Sequence, residues 1–353
     1  MNFRILLVSL LFSQQLVASA QFVPSAPEFK GTYDFKGAAL CATAKQTLNY
    51  LNKGMHYDPE VIHAGKVLTI PIDRVKATLV FICQNQTRMN NPDFIRKHFD
   101  FIRWNPDLTR ARQLSANKPL LRHLPKNQIL MTKYFVHLAK ANLKKSNITP
   151  FPLYALPKDE QGLSIEEANS KPYLTRFKHG KQAILKGALV HKVPELAYLS
   201  REDLEMSLLQ GTVVADFGTL GKKTFNVHRN NNIAYDRNKT PYAQERYWYF
   251  KQVEGIKGYG KDAEHKITVN PEVTFAADLV QLGLGKMLMI QYHSKTGALI
   301  SKAGILADTG GAFADNLYQV DYLAGSYAGR NAFNQATYHL PDYVTAYFMV
   351  VKQ

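Results

Sequence analysis

From about Met131 onward the apolar residues come in short runs, each broken by Pro, Gly or Asn, as at Pro150-Phe151-Pro152, Pro157, Pro172, Gly211 and Asn230-Asn231-Asn232. Runs this short with turn formers between them accommodate strands and leave no room for long helices. The spacing predicts strands over 267–269, 287–292, 303–307, 320–323 and 344–351. Two short helices interrupt the pattern, one opened by the capping box of Ser164 and Glu167, the other by Ser200 ahead of Leu204, Leu208 and Leu209. Before Met131 the apolar spacing is helical. Leu40, Ala44, Leu48 and Leu51 share one face, as do Val75, Leu79 and Ile82, and Phe94, Ile95, Phe101 and Ile102 predict a third helix over 92–104 with Pro92 in its first turn. The fold class expected is mainly β with an α-helical N-terminal part.

Residues 5–12 form a run of eight, apolar but for Ser9, that is too short to span a bilayer. With Arg4 before it and Ala18-Ser19-Ala20 after it, the run reads as a leader over 1–20, with the mature chain starting at Gln21. No Cys stands at the cleavage point, so the expectation is a periplasmic or secreted protein without a lipid anchor or stable membrane insertion. In an oxidising compartment the only two cysteines, Cys41 and Cys83, are expected to pair and to pin the first two helices together. The 353 residues carry a net charge of +16, or +15 once Arg4 leaves with the leader. A charge of that size attracts polyanions. Nucleic acid is not the expected partner of an exported chain whose Lys and Arg are scattered in ones and twos; an acidic cell-envelope polymer is.

Several chemistries are disfavoured by spacing. The eleven histidines include no pair four residues apart, so neither a metal nor any other cofactor is expected. No G-x-S-x-G occurs, and the glycines at 255, 258 and 260 are in the wrong order for a dinucleotide loop. A single Asp-Thr-Gly, at 308–310, lacks the second copy an aspartic-protease pair requires. Two carboxylates remain of interest. Asp308 ends an apolar run and precedes Thr309, Gly310 and Gly311; Asp321 lies thirteen residues later between Val320 and Tyr322. An Asp before Thr-Gly ordinarily caps a turn. An Asp inside an apolar, aromatic strand has no turn to cap, and two such groups in one cleft push one pKa upward, making a general acid.

The order of motifs over about 200 residues resembles the membrane-bound lytic transglycosylase A family, with its three-aspartate domain. The matching pieces are Val269-Asn270-Pro271, Leu282-Gly283, Asp308-Thr309-Gly310-Gly311-Ala312 and Asp321-Tyr322 with Gly325. Upstream come Pro152-Leu153-Tyr154, Tyr173-Leu174-Thr175-Arg176, Glu195-Leu196-Ala197-Tyr198-Leu199, Gln210-Gly211-Thr212, and Asn231 with Tyr235. The resemblance implies a double-psi β-barrel formed by residues 21–136 and 247–353, an inserted smaller β domain over 137–246, and a groove between them for peptidoglycan glycan strands. It implies Asp321 as catalytic acid and Asp308 as supporting carboxylate. Gln210, Gly211, Asn231, Tyr235, Asn270, Gly310, Gly311 and Tyr322 are the residues it implies at the substrate, with Tyr318 and Tyr327 flanking the acid. The implied reaction cleaves between N-acetylmuramic acid and N-acetylglucosamine and leaves a 1,6-anhydromuramyl end. Asn270 stands where that family has an aspartate, the segment after Gly311 is longer and places Asp315 where a Gly is typical, and Lys133-Tyr134-Phe135-Val136 only loosely matches a Gly-Tyr-Tyr segment. The alternative reading is a catalytically impaired cell-wall-binding or secreted interaction protein on the same scaffold.

Overall fold

The computed structural model describes residues 20–116, 118–261 and 263–353. The leader expected over 1–20 therefore lies, apart from Ala20, outside the described residues. Three helices follow two short N-terminal strands: α1 (Gly37–Leu51), α2 (Ile72–Gln84) and α3 (Pro92–His98). Cys41 on α1 and Cys83 on α2 are joined by a disulfide with Cα atoms 4.7 Å apart, closing a loop of sequence separation 42. A loop of that length restricts the unfolded chain by about 3–4 kcal/mol. The double variant Cys41→Ser/Cys83→Ser is accordingly expected to lose about 2–4 kcal/mol in urea unfolding, and an unchanged midpoint would refute the pinning role.

The third helix is shorter than its spacing suggests. Asn91 caps it, its Oδ1 accepting from the N–H groups of Asp93 and Phe94, but it ends at His98, and Phe99–Asn105 is a strand. Phe99 and Phe101 are buried while Asp100 between them is exposed, a period of two that the helical spacing of Phe94, Ile95, Phe101 and Ile102 conceals. Pairing with strands at both ends of the chain decides the outcome.

The central sheet has twelve strands: β1 (Gln21–Pro24), β2 (Thr32–Asp34), β3 (Phe99–Asn105), β4 (Ile129–Lys140), β5 (Thr212–Asp216), β6 (Lys222–Asn230), β7 (Trp248–Val253), β8 (Thr274–Ala276), β9 (Met287–His293), β10 (Leu299–Asp308), β11 (Gln319–Tyr327) and β12 (Tyr343–Val351). The order β12-β9-β10-β8-β11-β4 runs round a ring. The ring closes unevenly, through only two residue pairs, Tyr343 with Leu130 and Val344 with Ile129. One hydrophobic core, drawn from residues 33–136 and 267–350, fills this part of the molecule. A second, built from residues 139–250, lies beyond it.

Strand β4 belongs to both. Up to His137 it runs parallel to β11, and from His137 to Lys140 it runs parallel to β5. The capping box of Ser164 and Glu167 and the cap of Ser200 on the helix Arg201–Gln210 form as the sequence predicts. Strand β7, at the start of the returning segment, pairs with β6 and buries Phe250 in the second core.

Candidate active site

Ala276 on β8 is the centre of the arrangement. It pairs with Asp308 of β10 on one side and with Asp321 of β11 on the other. Residues opposite one another in a sheet point to the same face, and neighbouring strands are about 4.8 Å apart. The two Asp Cα atoms therefore stand about 10 Å apart across a single strand, with the Ala276 residue in register between them. One strand further on, Thr132 of β4 is in register with Asp321. Tyr134, two residues along the same face, reaches back so that its hydroxyl donates to Oδ2 of Asp308 at 2.7 Å.

The two carboxyl groups have different surroundings. Asp308 accepts on both oxygens, from the Tyr134 hydroxyl and from the Thr309 N–H at 2.8 Å. Asp321 has its Oδ1 buried without a hydrogen-bond partner. Burial raises both. It pushes Asp308 up to about 6 against the pull of Tyr134, the Thr309 N–H and the Lys266 charge. It pushes Asp321 up to about 7; the Thr132 hydroxyl opposes this, the negative charge of Asp308 adds to it, and Lys133 tempers it. The Tyr134 phenol is held well above its usual range by burial and by the Asp308 charge. Donors that favour the charged form collect on Asp308, and the group left with an orphan oxygen is Asp321. The pair can thus divide into one ionised carboxylate and one acid that keeps its proton near neutrality.

Removing the Tyr134 hydroxyl tests this division. A hydrogen bond to a charged group contributes about 1.5–3 kcal/mol, so Tyr134→Phe is expected to raise the lower titration midpoint of the carboxyl pair by roughly one to two pH units. Carbon-detected NMR titration of the Asp carboxyls measures it, and an unmoved midpoint would show that Tyr134 does not hold the charge.

The other residues expected at the site are placed differently. Tyr322 points to the opposite face of β11 from Asp321; it is 2% exposed and packs on Phe275 in the core. Tyr318 is buried beside Ala111 and Leu121, and Tyr327 packs on Phe135 and Phe333. Asn231 is buried, its amide donating to the carbonyls of His179 and Glu245 and its oxygen accepting from the Tyr247 N–H, so it is a structural clamp. Gln210 ends the helix Arg201–Gln210, and Gly211, at φ 77°, is that helix's left-handed cap. Asn270 directs both its N–H and its side-chain amide to the Thr43 hydroxyl on α1. Gly310 and Gly311 are exposed, with nothing within 4 Å of where a Cβ would stand. Asp315 takes φ 53°, the left-handed backbone for which glycine is better suited. Tyr235 is half exposed and lines a separate pocket. Thr132 and Ala276 carry no signal in the sequence, and Tyr134 shows there only within a loosely matching segment; strand register brings all three to the site.

A cleft of about 740 Å³ lies between the two cores, with Tyr57 and Lys261 on one wall and Leu163, His228, Arg229 and Phe250 on the other. A second space of about 320 Å³ shares His228, Arg229 and Lys261 with it and ends at Lys266. Neither carboxyl group lines these spaces; Asp308 stands behind Lys266, within reach of its charge. Among the described residues no cluster of His, Cys, Asp or Glu has the makings of a metal site, and no helix is long and apolar enough to cross a membrane.

A mainly β ring with a second β core hung on one of its strands, and two half-buried carboxyl groups flanking an alanine, define the class of fold. No protein-family model matches the chain, and no curated protein matches it in sequence. Solved structures do match. The membrane-bound lytic murein transglycosylase from Agrobacterium tumefaciens superposes with a TM-score of 0.60 at 14% identity, over 94% of this chain and 97% of that one. E. coli MltA with bound chitohexaose gives 0.58 at 14% identity over 94% and 95%, and MltA from Neisseria gonorrhoeae gives 0.54 at 16% over 95% and 96%. The fold of this chain is that of the MltA lytic transglycosylases.

Proposed function

We propose that this chain is a peptidoglycan lytic transglycosylase that uses Asp321 as its single proton donor and acceptor. The observation that carries the reading is the register of Asp308, Ala276 and Asp321, which gives one carboxyl group two donors and leaves the other a buried, unpartnered oxygen. The shared fold with enzymes of that name supports it, as does the glycan bound to one of them. The reading extends to a double-psi barrel from residues 21–136 and 247–353, an inserted domain over 137–246, and export after loss of the leader.

Protonated Asp321 gives its proton to the oxygen linking N-acetylmuramic acid to N-acetylglucosamine as the bond from the muramyl C1 breaks. Ionised Asp308 and the dipoles around it balance the positive charge that grows at C1. The muramyl C6 hydroxyl then bonds to C1, returning its proton to Asp321, and a 1,6-anhydro ring results. This nucleophile belongs to the same sugar and is already positioned, which removes the need for a second carboxylate and a water. The basic surface attracts the carboxylates of the polymer.

Digestion of purified sacculi in ¹⁸O-labelled water tests the reading. Muropeptides ending in anhydromuramic acid without label are expected by mass spectrometry. Labelled reducing ends would replace the proposal with a hydrolase. Asn270, bonded to Thr43 where the resembling family carries an aspartate, favours a second reading in which the chain binds cell wall without cutting it; binding to sacculi with no new ends of either kind is its signature.

A further inference from the structure

A pocket of about 230 Å³ in the second half of the chain is lined by Tyr235, Leu209, Arg246 and Trp248 over a floor of Lys181 and Glu205. It contains neither of the carboxyl groups described above. Its charges do not balance. Glu205 is already taken, by Lys181 at 2.6 Å and by Arg201 at 2.8 Å, and Lys181 also donates to the Pro241 carbonyl. That leaves Arg246 without an anion. Its guanidinium lies 4.8 Å over the Trp248 ring, and among the described residues it has no ion pair, while its Nε is buried without a hydrogen-bond partner.

A guanidinium held over an indole is restricted in orientation before any ligand arrives, and its fork of donors matches a carboxylate through two parallel hydrogen bonds. Beside it the rim is apolar and accessible, with Tyr235 46% and Leu209 53% exposed. The volume is below the usual range for ligand sites, so it suits one acidic arm with a small ring or alkyl body and not a glycan chain. We infer that this pocket is a second ligand site, one that takes a carboxylate carried on a sugar or short acyl-peptide arm, with Arg246 as its anion-binding residue and Tyr235 as its apolar wall.

The carboxylate follows from the pocket itself; assigning it to a muramyl unit rests on the function proposed above. Two sources share the chemistry, the lactyl carboxylate of a bare muramyl residue and the carboxylates of its peptide stem. Calorimetric titration of the Asp321→Asn protein with N-acetylmuramic acid, with N-acetylmuramyl-L-alanyl-D-isoglutamine and with N-acetylglucosamine separates them. At least one acidic probe is expected to bind tenfold or more tightly than the neutral sugar, and the tighter of the two names the source. Adding Arg246→Gln is expected to abolish the preference. Tyr235→Ala, at an exposed ring, is expected to weaken the acidic probe several-fold while leaving the melting temperature unchanged, and it serves should the Arg246 variant fold poorly. Equal affinity for acidic and neutral probes, or a preference that survives both substitutions, overturns the inference. Sacculus cleavage by the wild type is scored separately. Cleavage without Arg246-dependent binding removes this site and keeps the enzyme; binding without cleavage does the reverse.

Discussion

Replacing Asp321 by asparagine is expected to lower the rate of anhydromuramyl release by 10²–10⁴-fold or more, the range that a positioned general acid contributes. The substitution keeps the shape of the side chain and removes the carboxylic proton that burial and the Asp308 charge hold near pH 7. In the wild type, release should fall as pH rises through about 7, because the acid is lost. Stability supplies an independent reading of the same group. The folded carboxyl keeps its proton up to about 7, whereas an unfolded one releases it near 3.8. Between those limits the native state binds the extra proton, so stability declines as pH climbs through the window. Asparagine has no proton to lose, and the Asp321→Asn protein should gain on the wild type in thermal melts at pH 8 relative to pH 4. A variant that stays active, or a difference in melting that does not change with pH, would exclude a buried acid at this position.

The largest expected effect on stability comes from Glu160, which is 1% exposed. Its carboxylate accepts from Arg176 Nε on both oxygens at 2.8 Å and from Arg229 at 3.0 Å. Arg176 goes on to the Asn230 carbonyl and to Asn169, and Arg229 to the Leu163 carbonyl. One carboxylate thus ties the segment around Pro157 and the helix Ile165–Asn169 to the end of β6, along the wall of the large cleft. Glu160→Ala leaves two guanidinium groups facing each other away from water, and breaking a buried pair in this way costs about 3–5 kcal/mol. In a chain of this size that corresponds to a fall of roughly 4–7 °C in melting temperature. Replacing Glu160, Arg176 and Arg229 together with apolar residues of similar volume should recover most of the loss, since the desolvation cost disappears with the charges. A loss below about 1 kcal/mol for the single variant would place the network at the surface in energetic terms.

The site and its support read very differently from the chain alone. Asp321 is conspicuous in sequence because an acid between Val320 and Tyr322 breaks an apolar pattern without a turn to explain it. Glu160 is not conspicuous, since Lys158-Asp159-Glu160 looks like any solvated turn; its burial depends on arginines 16 and 69 residues away. Tyr322 and Asn231 carry the side chains of a sugar-binding surface, yet the first points into the larger hydrophobic core and the second closes a loop. A one-residue change of face separates a ligand from a core residue on a strand, and local spacing is nearly blind to it.

The amino-acid sequence by itself determined the caps at Ser164 and Ser200, the cysteine bridge between two helices, the short strands of the C-terminal third and the two aspartates that end or interrupt them. These depend on periodicity, turn chemistry and charge within a few residues, which a linear chain displays directly. Only the tertiary structure decided that Phe99–Asn105 is a strand, that Ala276 separates the carboxyl groups, that Tyr134 serves one of them and that Arg246 stands without an anion. Each of those is set by which strand lies beside which, and at what offset. That choice is made by burial and pairing between segments up to hundreds of residues apart, and no local pattern encodes it.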